Sequence, residues 1–334
     1  MNPSDPDSFC HRTVQISTGH LYHFIDQIPA NYDSTRPPLI CLHGFPDSWF
    51  GWRHQIGPWC SQGFRVIVPD MLGYGETDMP HDSSAYSTKN ICNDISALLD
   101  FLDISKAVVI GHDWGAYTAG RFALWHPERL IALVMLAVPY VPPTLQHMPV
   151  EEMARKFPSY GYQAYFASEA STAEIEANPV SFLQVLFRTP EKILPFTKLG
   201  QFQGLITNKQ IDFADGCLLN EHDLQIYVSR FQRGMLGPLS YYRTTRTRFE
   251  EEKSALLPAH LPPNLHVLFI YGTKDATCPP SAVRNAHKFI SQLNTVALED
   301  VGHWVMLEAQ DRVTSEVLRF LSSPEISASQ KSRM

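Results

Sequence analysis

Two aspartates and a histidine are set along this sequence in an order that could carry nucleophilic chemistry. Asp113 lies in Ala107-Val108-Val109-Ile110-Gly111-His112-Asp113-Trp114-Gly115-Ala116, an apolar run broken by Gly-x-Asp-x-Gly. This is the pattern of a nucleophile elbow, a sharp strand-to-helix turn, with aspartate where serine is more usual. Such a turn leaves no room for side chains on either side, and Gly111 and Gly115 supply that room. The positive end of the following helix favours the ionised, nucleophilic carboxylate. A plainer reading makes Asp113 only a helix cap. His303, in Val301-Gly302-His303-Trp304, could activate water, and Asp275, in Gly272-Thr273-Lys274-Asp275, could orient its ring. Asp300 competes for that second role, but it lies too close along the chain to reach the far imidazole nitrogen easily.

These side chains need strands and helices to bring them together. Arg12 to Ser17 and Leu21 to Asp26 read as an antiparallel pair joined at Thr18-Gly19-His20. Leu39-Ile40-Cys41-Leu42, Phe64 to Pro69, Ala107 to Ile110 and Leu130 to Val138 read as buried strands. Trp52 to Cys60 reads as a short helix. Thr88 to Asp103 reads as an amphipathic one, with Ile91, Ile95, Leu98, Leu99 and Leu102 on one face and Ser87 or Thr88 as cap. A helix follows the elbow to about His126, where Pro127 stops it. From Tyr140 to about Pro263 the chain reads as helices and loops. Alternation then resumes: strand His266 to Tyr271, helix Ser281 to Ile290, strand Thr295 to Glu299, helix Arg312 to Leu321.

Apolar strands alternating with helices predict a mostly parallel sheet covered on both faces. Residues 1–139 and 264–323 are expected to form this α/β core, 140–263 a helical lid, and 324–334 a tail. Asp113, Asp275 and His303 all follow strands, so they can meet at one sheet edge, where open α/β sheets place ligands.

Composition narrows the function. The 334 residues are 44% hydrophobic with a net charge of -7, which suits a large core and argues against nucleic acid as a partner. No apolar run is long enough to span a bilayer. The acidic start, Met1-Asn2-Pro3-Ser4-Asp5, is unlike a secretory signal. Six cysteines without C-x-x-C spacing fit a reducing compartment and no zinc site. A cytoplasmic protein is expected, with the peroxisome as the alternative, because Ser332-Arg333-Met334 resembles a variant of the Ser-Lys-Leu address.

The order nucleophile, acid, histidine is that of the α/β hydrolases. In that fold the loop His43-Gly44-Phe45-Pro46 would supply one backbone N–H of an oxyanion hole, from Phe45, and Trp114 the other. The sequence resembles an epoxide hydrolase of the α/β-hydrolase superfamily. The matching segments are His43-Gly44-Phe45-Pro46-Asp47-Ser48-Trp49 with Trp52-Arg53, Pro69-Asp70 with Gly73-Tyr74-Gly75, Gly111-His112-Asp113-Trp114-Gly115, and Gly302-His303-Trp304. Leu72 stands where many relatives carry arginine. No counterpart is expected of the phosphatase domain that precedes some animal members.

The resemblance implies that Tyr162, in Tyr162-Gln163-Ala164-Tyr165-Phe166, and Tyr242, after Gly237-Pro238-Leu239, hold the epoxide oxygen. His43, Pro46, Tyr165, Tyr241 and Trp304 are expected along the substrate pocket. The implied reaction opens a small apolar epoxide to a vicinal diol, through an ester on Asp113, in a monomer or homodimer without cofactor or metal. Three alternatives share the scaffold: a haloalkane or haloacid dehalogenase, a non-hydrolytic ligand-binding relative, and an enzyme that replaces water by a substrate hydroxyl. The first lacks a lid tryptophan, since all six tryptophans lie at 49, 52, 59, 114, 125 and 304.

Overall fold

The computed structural model of the chain describes residues 1–207, 214–324 and 326. Eight strands form one sheet: β1 (His11–Gln15), β2 (Leu21–Gln27), β3 (Leu39–Leu42), β4 (Val66–Pro69), β5 (Ala107–His112), β6 (Leu130–Leu136), β7 (His266–Gly272) and β8 (Gln292–Leu298). Their spatial order is β1-β2-β4-β3-β5-β6-β7-β8. The pairings of β2 with β1 and with β4 are antiparallel, and the others are parallel. Every residue of β3, β4 and β5 is buried, which is why their sequences are apolar without alternation.

β8 begins at Gln292, three residues before the expected Thr295. It is the edge strand, and most of its residues touch solvent, so Gln292 and Asn294 hide it among loop-like residues. The helix expected over Ser281 to Ile290 runs only from Pro280 to Ala286. Helices pack on both faces of the sheet. Ser87 caps Thr88–Phe101 by accepting the N–H of Asn90, and Val313, Val317 and Leu321 line the buried side of Gln310–Leu321.

Between β6 and β7 the chain runs through eight α-helices among the described residues, from Val150–Lys156 to Thr245–Ser254. Buried polar contacts fasten this segment to the rest. Arg53 donates to Asp223 at 2.7 Å, Arg121 to Glu252 at 2.6 Å, and the Tyr227 hydroxyl to Asp47 at 2.8 Å. Buried ion pairs contribute little net stability, but removing one partner costs about 3–5 kcal/mol, so they fix where the segment sits. No helix among the described residues is long and apolar enough to cross a membrane. Ser332-Arg333-Met334 lie outside the described residues.

Candidate active site

The elbow turns at Asp113, whose backbone has φ 53° and ψ -120°, and its side chain makes no capping hydrogen bond. The plain capping role is thereby excluded. A non-glycine residue held at positive φ costs roughly 1–3 kcal/mol, a strain found mostly at functional sites. Close packing imposes the turn: a Cβ on Gly111 would stand 2.2 Å from the carbonyl oxygen of Gly115, and one on Gly115 2.0 Å from that of Leu42. Register does the rest, pairing Gly111 with Leu42 and His112 with Leu136, so that Asp113 emerges where three central strands end.

One oxygen of Asp113, Oδ1, accepts the backbone N–H of Phe45 at 2.9 Å. The N–H of Trp114 opens the helix Trp114–Trp125, where the first amides lack intrahelical partners. The other oxygen, Oδ2, stands 3.6 Å from His303 Nε2. His303 Nδ1 lies 2.8 Å from Asp275 Oδ2 and 3.2 Å from the Thr277 hydroxyl. Asp275 Oδ1 accepts both the N–H and the hydroxyl of Thr277, at 2.8 and 2.7 Å. The Asp275 loop is tied to the His303 loop by the backbone N–H of Lys274, which donates to Val301. Asp300, the competing acid, instead pairs with the Lys274 ammonium at 2.9 Å.

Burial opposes charge on each of these groups, and their neighbours outweigh it. His303 is held well above the ordinary histidine pKa by the carboxylates of Asp275 and Asp113. Asp113 is held below its ordinary value by His303, with a contribution from the Phe45 N–H. Asp275 is lowered likewise by His303 and Thr277. His112, beside Asp113, is different: burial and the His303 charge push it down to about 4, so it stays neutral.

A cavity opens over Asp113, Asp275 and His303. Tyr162, Phe166, Tyr242, Phe45 and Trp304 form much of its wall. Tyr162 and Tyr242 are both pushed above the ordinary tyrosine range, first by burial and then by the Asp113 charge. Both phenols therefore keep their protons and can donate. The Tyr242 ring stands edge-on to those of Phe45 and Trp114, at 5.1 Å in each case.

Four of the expected wall residues are not on the lining. Tyr165 donates its hydroxyl to Glu174 at 2.9 Å, and Tyr241 donates to the Leu72 carbonyl at 3.0 Å. Helical geometry separates them from their neighbours. In Gly161–Ala167, Tyr162 and Phe166 are four apart and share the cavity face, whereas Tyr165 points elsewhere. Tyr241 and Tyr242 are consecutive and point about 100° apart. His43 is buried beneath the site, with Nδ1 on the Gly44 carbonyl and Nε2 accepting from Met71, both at 2.9 Å. Pro46 is buried and off the lining.

Several contributors were not legible in the sequence. Thr277 had one signal, its place two residues after Asp275, where a carboxylate commonly takes a turn hydrogen bond. Phe166 follows from the helical spacing with Tyr162. Phe182, packed on Phe45 at 5.8 Å, and Glu308, bonded to the backbone of the His303 loop, gave none.

The family model described as alpha/beta hydrolase fold matches residues 37–310. The chain is 32% identical over 326 residues to bifunctional epoxide hydrolase 2 of Rattus norvegicus, covering 96% of this chain and 57% of that protein. It therefore spans little more than half the length of that relative. It is 30% identical over 300 residues to epoxide hydrolase 3 of Siraitia grosvenorii, covering 86% of this chain and 92% of that one. Among solved structures, epoxide hydrolase A from Mycobacterium thermoresistibile superimposes with a TM-score of 0.79 at 27% identity, over 94% of this chain and 98% of that one.

Proposed function

The chain belongs to the epoxide hydrolases of the α/β hydrolase fold, and on that premise we propose that it opens an apolar epoxide to a vicinal diol through an ester on Asp113. The observation that carries this reading is the juxtaposition around Asp113. A carboxylate occupies the elbow, an N–H of Phe45 touches one of its oxygens, His303 stands by the other, and two phenols share its cavity.

An epoxide carbon is tetrahedral, so it is opened by displacement. The Asp113 carboxylate attacks in line and becomes an alkyl ester. The departing alkoxide is strongly basic, and the phenols of Tyr162 and Tyr242 donate to it. His303, oriented by Asp275, then takes a proton from water. The hydroxide attacks the ester carbonyl of Asp113, and the N–H groups of Phe45 and Trp114 hold the resulting oxyanion. The two steps are coupled through charge. Burial works against a proton on His303, and two carboxylates retain it there. Esterification neutralises one of them, Asp113, so the imidazole gives up its proton, which balances the one the opened alkoxide gains through the phenols, and is neutral when a base is needed.

Trp304 is the tryptophan on the cavity lining, and its indole N–H is committed to the Leu186 carbonyl at 2.8 Å. That leaves it unsuited to holding a departing halide, and the Trp114 side chain, beside Asp113, is hydrogen-bonded to the Tyr242 phenol; both favour the epoxide over the haloalkane or haloacid reading.

An oxygen-isotope experiment tests the mechanism. In one turnover in ¹⁸O-water, the water oxygen should enter the Asp113 carboxylate, and the diol should carry an unlabelled oxygen taken from that carboxylate. Label in the diol after a single turnover contradicts the ester route and means that water attacks the epoxide directly.

A further inference from the structure

We infer that Glu308 is a positioning residue for the ester-hydrolysis half of this reaction, gripping the backbone on both sides of His303. The inference rests on the roles proposed above for Asp113 and His303. Glu308 Oε2 accepts the N–H of Gly302 at 2.7 Å, and Oε1 accepts the N–H of Trp304 at 2.9 Å. Those amides flank His303, so one carboxylate straddles the residue. The glycine is part of the device: a Cβ on Gly302 would stand 3.0 and 3.1 Å from the two carboxylate oxygens, tight enough to push the carboxylate back. From the elbow, His112 Nε2 lies 3.0 Å from the His303 carbonyl. A carbonyl only accepts, so that nitrogen carries the proton. The main chain around His303 thus has three polar anchors before the ring makes a bond of its own.

The two halves of the reaction depend on this loop unequally. Ester formation uses Asp113, which the elbow holds, and the two tyrosines. Ester hydrolysis uses His303 Nε2. There a water O–H breaks, its proton goes to Nε2, and the oxygen bonds to the Asp113 carboxyl carbon. The bond from that carbon to the alkyl oxygen then breaks, and the diol leaves with the proton from the imidazolium. A displacement of about 1 Å in the base can cost on the order of a hundredfold in rate. Asp275 and Thr277 fix the ring's tilt, and Glu308 fixes the backbone that carries it.

Glu308→Gln is the discriminating change. It keeps volume, but an amide has one acceptor oxygen and a donor nitrogen, so it satisfies one of the two N–H groups and turns a donor toward the other. The experiment is single-turnover quench with intact-mass detection on an epoxide such as styrene oxide, using wild type, Glu308→Gln, Glu308→Asp and His303→Gln. In Glu308→Gln, ester formation should stay within about threefold of wild type, while ester decay falls on the order of tenfold to a hundredfold. Retained ester formation also reports that the variant is folded. Glu308→Asp keeps both acceptor oxygens on a shorter stem, and should recover part of the lost decay rate. Formation and decay falling together would assign Glu308 to general packing, and an unchanged decay would make the clamp dispensable; either overturns the inference. Failure of the underlying reading looks different, because then His303→Gln accumulates no ester, and the inference falls with it.

Discussion

Asp113 Oδ2 and His303 Nε2 stand 3.6 Å apart, beyond hydrogen-bond range, while His303 Nδ1 sits 2.8 Å from Asp275. The histidine is thus bound firmly to Asp275 and only loosely to Asp113. On the proposed mechanism, that asymmetry suits a carboxylate that first attacks carbon and is only later attacked by water. It also makes the His303 proton dependent on the Asp113 charge. The His303 pKa, read by NMR in the resting protein, should therefore lie above the pKa governing ester decay in single-turnover pH profiles. Equal values would show that esterification does not release the base.

Asp275→Asn should damage the second half-reaction selectively. The amide can no longer accept from Nδ1–H as a charged partner, and the ring settles in the wrong tautomer. A related change in a serine triad costs about 10⁴-fold, and ester decay should fall by a comparable factor while ester formation persists. Rapid-quench mass analysis resolves the two rates. The Thr277 bonds to Asp275 Oδ1 do not replace the lost charge.

Tyr162→Phe and Tyr242→Phe should slow ring opening and leave ester decay unaffected. Loss of one donor to a developing oxyanion typically costs about 10²–10³-fold, and loss of both should cost far more, because among the described residues no phenol then remains on the cavity wall to hold the oxygen. Burial keeps both hydroxyls protonated, so these rates should show no alkaline loss attributable to tyrosine below about pH 10. Tyr165→Phe, which loses only the bond to Glu174, is the matched control.

Stability should depend on a second carboxylate, one that is not on the cavity lining. Asp70 is fully buried, bonded at 2.8 Å to His23 Nδ1 and at 3.0 Å to the Trp49 N–H. Burial alone would raise its pKa, but the hydrogen bond and charge of His23, helped by His43, bring it from 3.8 down to about 2. A depressed carboxyl stabilises the fold above its unfolded pKa, and that contribution disappears as pH falls through the folded value. Asp70→Asn should cost about 3–5 kcal/mol at neutral pH, by urea denaturation, because it strands buried partners. The gap to wild type should narrow between about pH 4 and pH 2.

Much of this was legible in the sequence where burial dictates composition. β3 to β6 are apolar on both faces, so their runs announce themselves, and the glycines beside Asp113 announce the elbow. β8 was less legible, because an edge strand carries polar residues. Adjacent tyrosines on a helix look alike in sequence, and only the helix phase separates Tyr162 from Tyr165 and Tyr242 from Tyr241. Contacts such as Arg53 with Asp223, 170 positions apart, leave no local trace, and neither does a side chain that binds backbone amides, as Glu308 does.

Asp113 should become covalently alkylated by an epoxide, an event read by intact-mass analysis of His303→Gln after exposure to a panel of epoxides and, separately, chloroalkanes. The predicted result is an adduct equal to the whole mass of an epoxide, absent from the Asp113→Ala, His303→Gln double variant. An adduct that survives loss of Asp113, or one formed only from a chloroalkane with halide released, would contradict it.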